Sequence, residues 1–250
     1  MLLPHLLAVD PALITSGAGR GVVRNACWYL LDRGQARTAR NRLQQLYDTW
    51  LRRLGPDHEG TLWTAYCLAR ALDDTEDHAS ARALDEDTLQ RRRRLLGEDH
   101  PETLTTASNL AIRLAALGQT EEARTLGEDT LTRQRRVLGE DHPDTLRTAH
   151  NLAIRLADLG QTEEARTLGE ATLTRRRRVL GEDHPATLIT AANLAIDLAA
   201  LGQTEEARTL GEDTLTRRRR VLGEDHPNTL TILRFLDQLG AAREDSDIGG

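Results

Sequence analysis

The chain has no lysine, a single phenylalanine and a single methionine, and only two cysteines among its 250 residues. Two thiols, Cys27 and Cys67, are too few for a disulfide framework in a chain of this length. With lysine missing, all 33 basic side chains are arginines, set against 39 acids for a net charge of −6. That mildly acidic balance argues against a dedicated nucleic-acid protein. Arginine without lysine, beside abundant Ala, Leu, Gly, Asp and Glu, points to a GC-rich bacterial genome. Long apolar runs are also missing. Met1 to Thr15 is apolar but broken by Pro4, His5, Asp10 and Pro11, and no basic stretch opens it. It reads as neither a signal peptide nor a membrane span, so the cytoplasm is the expected location. Gly-x-Ser-x-Gly, a Cys-His pair and a paired-carboxylate site are all lacking. The glycine-rich stretch Ser16 to Gly21 has no lysine-threonine after it and no βαβ unit around it, so it fails as a phosphate-binding loop. Neither enzymatic chemistry nor a bound cofactor or metal is expected.

What the chain does contain is repetition. A 42-residue unit, LGEDHPETLTTASNLAIRLAALGQTEEARTLGEDTLTRQRRV, starts at Leu96 and recurs from Leu138 and Leu180, with neighbouring copies differing at six positions. A fixed period near 40 residues marks a solenoid, whose units bury their apolar faces against one another and leave an extended surface. Each unit divides into two helices. Pro101 suits a first helical turn, where its missing N–H costs nothing. Leu104, Ala107, Leu110, Ala111 and Leu114 then recur at helical spacing until Gly118. Thr120 is placed to cap the second helix, and Glu121 and Glu122 suit its first turn. Ala123, Leu126, Leu131 and Leu138 form its inward stripe, and Gly139 ends it.

The same Leu-Gly opening stands at Leu54 and Leu222, and Gly34 matches Gly118 two periods back. The predicted fold is all-α, an α-solenoid with a right-handed superhelix of tandem antiparallel helix pairs. Residues 1–15 are a cap or linker, 16–239 the solenoid and 240–250 a disordered tail. Its units run over about 12–53, 54–95, 96–137, 138–179 and 180–221, with a capping helix over 222–239.

The pattern L-G-E-D-H-P-x-T-L, then N-L-A, then G-Q-T-E-E-A, resembles tetratricopeptide repeats of the 42-residue variety found in kinesin light chains. It is similar also to the repeats at the C-terminal end of actinobacterial STAND-class (NB-ARC) signalling NTPases. The resemblance covers about residues 12–239. In the usual signature the Leu-Gly pair falls on Leu110 and Ala111, the Tyr on Leu114 and the Ala on Ala123. The Trp becomes Ala107, and the Phe of the second helix becomes Gly127, Gly169 and Gly211. A mid-helix glycine costs about 1 kcal/mol against alanine, so either the helices approach closely there or the second helix is soft. The resemblance implies a non-catalytic scaffold that binds a protein or peptide in a concave groove lined by the first helix of each repeat.

Five of the positions that vary between copies lie in the first helix. They are Glu102/Asp144/Ala186, Thr105/Arg147/Ile189, Ser108/His150/Ala192, Arg113/Arg155/Asp197 and Ala116/Asp158/Ala200. At helical spacing they fall within an arc of about 140°, opposite the apolar stripe, on the face that lines the groove in related arrays. Drift of a solvated face after duplication would look the same. Within that face Asn109, Asn151 and Asn193 do not vary, nor do Ile112, Ile154 and Ile196. The resemblance assigns the asparagines to peptide contact, where an amide offers both donor and acceptor; a bond between neighbouring helices is the competing role. Candidate binding residues are therefore Thr105, Asn109, Ile112, Arg147, His150, Asn151, Ile154, Asp158, Ile189, Asn193 and Ile196. Arg147, Arg155, Asp158 and Asp197 would tune charge.

In the two N-terminal units the matching positions carry Trp63, Tyr66 and Arg70, and before them Arg24, Asn25 and Trp28. Six of the seven aromatics precede residue 67, and Trp, Tyr and Arg are common interface anchors. Trp63, Tyr66 and Arg70 are the first choice for a hot spot. Packing under an N-terminal cap is the alternative for Trp28 and Tyr29, and packing is expected for Tyr47 and Trp50.

His100, His142, His184 and His226 sit in Glu-Asp-His-Pro, but stacked repeats hold equivalent residues about 10 Å apart or more, against about 2 Å from ligand to metal. They mark helix starts. The runs Arg91–Arg94, Arg175–Arg178 and Arg217–Arg220 would form a phosphate-attracting ladder if free, yet acids follow each run. Asp129 with Arg133 and Asp213 with Arg217 form i,i+4 pairs. Besides a protein or peptide ligand, a STAND-type NTPase is a candidate partner, with this chain its sensor arm or a fragment of it. Nucleic acid is disfavoured, no membrane is expected, and self-association stays open because near-identical units stack end to end if caps are weak.

Overall fold

The structure, a computed structural model, describes residues 8–248; the start of the expected cap segment and the last two residues of the expected tail lie outside them. A 3₁₀ turn at Pro11–Leu13 precedes eleven helices, and the described residues contain no strand. The helices are α1 (Gly17–Asp32), α2 (Ala36–Leu54), α3 (Glu59–Asp73), α4 (His78–Leu96), α5 (Pro101–Ala116), α6 (Thr120–Val137), α7 (Pro143–Asp158), α8 (Thr162–Leu180), α9 (Pro185–Ala200), α10 (Thr204–Leu222) and α11 (Pro227–Ile248). They form five consecutive pairs and a final single helix, an α-solenoid, grouped into two compact units, Met1–Leu126 and Gly127–Gly250.

Glu-Asp-His-Pro opens α5, α7, α9 and α11. The imidazole Nδ1 of His100, His142, His184 and His226 accepts the backbone N–H two residues on, at 3.1–3.2 Å, and His58 does the same at 2.9 Å. An N-cap acceptor satisfies one of the orphan donors of the first turn, and proline at the next position has no N–H to lose. The histidines are N-caps.

At the other end of α5 the chain reverses in a Schellman turn. Gly118 takes φ 77°, its N–H bonds to the Ala115 carbonyl, and Gln119 N–H bonds to the Leu114 carbonyl, both at 2.9 Å. This turn is so short that the next helix begins at once. Gln161 and Gln203 therefore occupy the N-cap positions of α8 and α10, without a side-chain cap, and Thr162 and Thr204 are the first helical residues. The side-chain cap expected of the threonine is not made; the Gln161 carbonyl accepts only the ordinary first bond of the helix, from Ala165 N at 3.0 Å.

Each repeat contributes the same small core. In the first unit Leu89, Ala107, Leu110, Leu114 and Ala123 cluster. In the second, Leu131, Ala149, Leu152, Leu156 and Ala165 repeat that set, and Leu173, Ala191, Leu194, Leu198 and Ala207 repeat it again. Alanines in such cores let helices approach closely. The glycines of the second helices differ: a Cβ at Gly127 or Gly169 would stand 3.4 Å from Leu152 or Leu194 Cδ1, an ordinary contact, whereas at Gly211 it would stand 2.8 Å from Leu236 Cδ2. Close approach explains Gly211 alone.

The N-terminal pairs hold a larger core with Leu30, Leu43, Leu46, Trp50 and Leu68. Cys27 and Cys67 are buried within it as free thiols. At the C-terminal end α11 continues to Ile248, past the expected stop at Leu239. Gly240 does not adopt a positive φ, and the Ala-Ala-Arg-Glu that follows favours helix, so the backbone continues the helix through the first part of the segment expected as a tail. No described helix is long and apolar enough to cross a membrane.

Candidate functional site

In the second unit a cleft of about 190 Å³ opens between the first helices α7 and α9. His150, Ile154 and Asp158 line it from α7, and Asn193, Ile196 and Asp197 from α9. Ala153, Ala157 and Leu194 give it apolar walls, and Gly169 of α8 forms part of its floor. Helical spacing accounts for the grouping: residues 150, 154 and 158 step four at a time along α7, and 193 and 197 do so along α9. Five of the candidate binding residues thus face one cavity. Arg147, Asn151 and Ile189 do not line it, although Ile189 is exposed and the other two are half-buried.

The electrostatics of the cleft are uneven. Arg155 pairs with Asp158 at 3.2 Å, and Arg147 with Asp144 at 3.3 Å. Arg176 is buried and donates to the carbonyls of Ala186 at 2.7 Å and Leu146 at 3.1 Å, and to Thr190 Oγ1 at 2.6 Å. Burial lowers its pKa to about 10, helped by the nearby charge of Arg147. The His150 ring lies 3.3 Å from that same threonine oxygen. Burial, then the positive charges of Arg176 and Arg155, depress its pKa to about 4, so it is neutral at pH 7. Burial alone raises Asp197 to about 6.

Two of the five varying positions turn out not to face solvent. Ser108, His150 and Ala192 are buried, as are Arg113 and Asp197. A repeat's first helix packs against the neighbouring first helix as well as its own partner, so the apolar stripe is only part of its buried surface. The asparagine row is uneven for the same reason. Asn109 is 7% exposed and its carbonyl accepts from Arg113 at 2.8 Å, whereas Asn151 and Asn193 stay half-buried. Thr105 is turned back on its helix, its hydroxyl donating to Pro101 O at 2.9 Å, and Ile112 is half-buried.

The N-terminal aromatics meet one another. Trp28 and Tyr66 stack with ring centroids 6.3 Å apart and planes within 9°. Arg70 lies over Trp28 at 4.6 Å and also pairs with Asp32 at 3.2 Å, while Arg92 lies over Tyr66. Arg24 covers Trp63 at 5.4 Å. The expected hot spot at Trp63, Tyr66 and Arg70 is therefore largely spent on internal cation–π contacts; Asn25 beside it is exposed. Trp50 is buried and Tyr47 packs on the core, as expected.

The arginine runs do not stand free as a ladder. Arg91 and Arg94 pair with Asp57, Arg175 and Arg178 with Asp141, and Arg217 and Arg220 with Asp183. The second arginine of each run, Arg92, Arg176 or Arg218, is buried. Ala153, Ala157, Gly169, Thr190, Leu194 and Asp197 are the lining residues outside the candidate binding set, with Asp197 expected only to tune charge. The signal was present: Asp197 is where the third copy replaces an arginine by an acid.

Two profiles described as tetratricopeptide repeat match the sequence, one over residues 61–102 and 103–144, the other over 156–220 and 193–242. Among solved structures, a kinesin light chain of Podospora anserina with nearly identical TPR-like repeats is 26% identical. It superposes with a TM-score of 0.69 over 85% of this chain and 97% of that one. BtubC (BKLC) from P. vanneervenii gives 0.70 at 18% identity, covering 91% of this chain and 94% of its own. A Rap protein complexed with competence and sporulation factor gives 0.53 at 13% identity, covering 89% of this chain and 63% of that one. No curated protein matches in sequence.

Proposed function

The chain belongs to the tetratricopeptide-repeat family, and from that premise we propose that it is a non-catalytic scaffold whose first helices hold an extended segment of a partner protein or peptide. The observation that supports this reading is the cleft between α7 and α9, where Ile154, Asn193 and Ile196 stand side by side. An amide carries a donor pair and an acceptor, the complement of a peptide backbone. The isoleucines supply apolar contact at alternate steps of an extended ligand; Ile196 is 45% exposed although it lies on a helix with a buried face. The solved complex of the similarly folded Rap protein with its factor illustrates a repeat fold of this kind holding a second molecule.

The N-terminal aromatics serve stability rather than anchoring, because their faces are covered by Arg70, Arg92 and Arg24. The same groove would serve in a sensor arm of a STAND-type signalling NTPase, which the repeat sequence resembles. Two free, buried cysteines fit a reducing compartment such as the cytoplasm. The test is selection from a random-peptide display library on the wild type, followed by affinity measurement on an Asn151→Ala, Asn193→Ala variant. Enriched peptides that lose at least tenfold in affinity on the variant are the expected result. Failure to enrich any peptide, or binders indifferent to both asparagines, would overturn the proposal.

A further inference from the structure

Asp197 is a buried acid without a counterpart. Its side chain lines the cleft while only 8% of the residue is exposed. Among the described residues nothing donates to its carboxylate or pairs with it, and burial is the sole cause of its raised pKa. The neighbouring charges are engaged elsewhere: Arg155 with Asp158, Arg147 with Asp144, and Arg176 with two carbonyls and Thr190. His150 is neutral. A carboxylate set against apolar walls without a partner is costly; it opens on the cleft, where a donor from outside the chain can reach it.

The first unit places an acid and an arginine at the same two helix positions. Asp85 on α4 and Arg113 on α5 are both buried, and their charged groups approach to 3.1 Å. Eighty-four residues later, two periods on, the place of Arg113 is taken by Asp197 and the place of Asp85 by Gly169. The acid has moved to the first helix, and the second helix offers no side chain at all. Where the first unit is filled by its own ion pair, the second has a carboxylate facing an open floor and about 190 Å³ of space.

Given the peptide-groove reading on which this rests, the geometry points to an arginine side chain of the bound segment as the occupant of this cleft, its guanidinium on Asp197 and its stem along Ala153, Ala157 and Leu194. A guanidinium meets a carboxylate through two parallel N–H donors and is more weakly hydrated than an ammonium, which suits an acceptor this enclosed. Its aliphatic stem suits apolar walls. The chain itself uses arginine for the matching contact at Arg113.

The experiment is an amide-resonance NMR titration of the full chain with blocked pentapeptides, Ala-Ala-Arg-Ala-Ala and the same peptide with Gln or Lys at the centre. Asp197→Arg and Asp197→Asn are run in parallel, with circular dichroism as the folding check. Arginine at position 197 is what positions 113 and 155 already hold, so that variant keeps the repeat's own chemistry. The expected result is saturable shifts at Gly169, Asn193 and Asp197 with the arginine peptide. Binding should be at least tenfold weaker for the glutamine peptide, weaker for the lysine peptide, and tenfold or more reduced in either variant. If arginine and glutamine peptides shift the same resonances with equal affinity, the arginine site is overturned while the groove stands. If the lysine peptide binds as tightly as arginine, the guanidinium assignment is overturned. If the arginine peptide shifts none of these resonances, the site is overturned and the groove reading then rests on the library selection alone.

Discussion

Asp197 and His150 share one cleft and titrate in opposite senses. The folded carboxyl of Asp197 is held at about 6, above the ordinary carboxylate value, because its charged form is buried. Between about pH 4 and 6 the folded state therefore binds more protons than the unfolded state, and stability falls as pH rises through that window. Above it the full cost is present. His150, depressed to about 4, runs the other way and loses stability as pH falls from the ordinary imidazole range. Comparing Asp197→Asn with the wild type at each pH cancels the histidine. The variant should be more stable at pH 7 by about 1–3 kcal/mol, with the gain gone by about pH 4, as read by urea unfolding. A variant no more stable at pH 7 would mean that the carboxylate is not desolvated. Gln134 offers a second test. Arg92, Arg176 and Arg218 at the matching positions each donate to a carbonyl ten residues on, whereas Gln134 is fully buried with neither amide atom bonded among the described residues. Gln134→Arg is expected to raise stability by about 1–2 kcal/mol in the same assay, and Arg176→Gln to lower it. The sequence shows the glutamine as one of six differences; only the burial reveals it as the missing staple.

The second helices carry a glycine in mid-element, and its effect differs with what stands opposite. At Gly169 an added Cβ meets Leu194 Cδ1 at 3.4 Å, an ordinary contact, while at Gly211 it meets Leu236 Cδ2 at 2.8 Å and something must shift. Helix propensity favours alanine at both by about 1 kcal/mol. Gly169→Ala should therefore raise the unfolding midpoint, with a gain of up to about 1 kcal/mol, and Gly211→Ala should gain less or nothing. Equal gains would show that the packing of α11 against α10 yields freely. These helices were legible from apolar spacing, from Pro101, Pro143 and Pro185, and from Gly118, Gly160 and Gly202. The caps were not, since Thr120 and its equivalents look like caps until the Schellman turn uses up the connecting residues. Nor was the burial of His150, because a single unit's apolar stripe says nothing about the side turned to the next repeat. Asp85 and Arg113 were hidden for the same reason, each ordinary on its own helix and paired only by packing.

For the chain as a whole, repetition made the fold readable and function hard to read. Near-identity fixes the packing faces, so the information about a ligand lies in the few positions that break the pattern, and those acquire meaning only when helices α7 and α9 are set beside each other. The same economy makes the last helix essential. Ile232 of α11 is buried with Ala192 and Leu215, and Phe235 and Leu236 pack with it. A chain ending before Pro227 should melt at least about 5 °C lower and self-associate through the uncovered face of the last repeat, as light scattering would show; a monomer of unchanged melting temperature would contradict this. The most direct test of peptide binding is site-specific photo-crosslinking. A photoreactive residue replaces Ile196 on the cleft in one protein and Val179, exposed on a second helix, in another, and each is irradiated with a library-selected peptide. If the first helices form the binding surface, the peptide cross-links from position 196 and not from 179. Cross-linking from 179 alone would place binding on the second helices and contradict it.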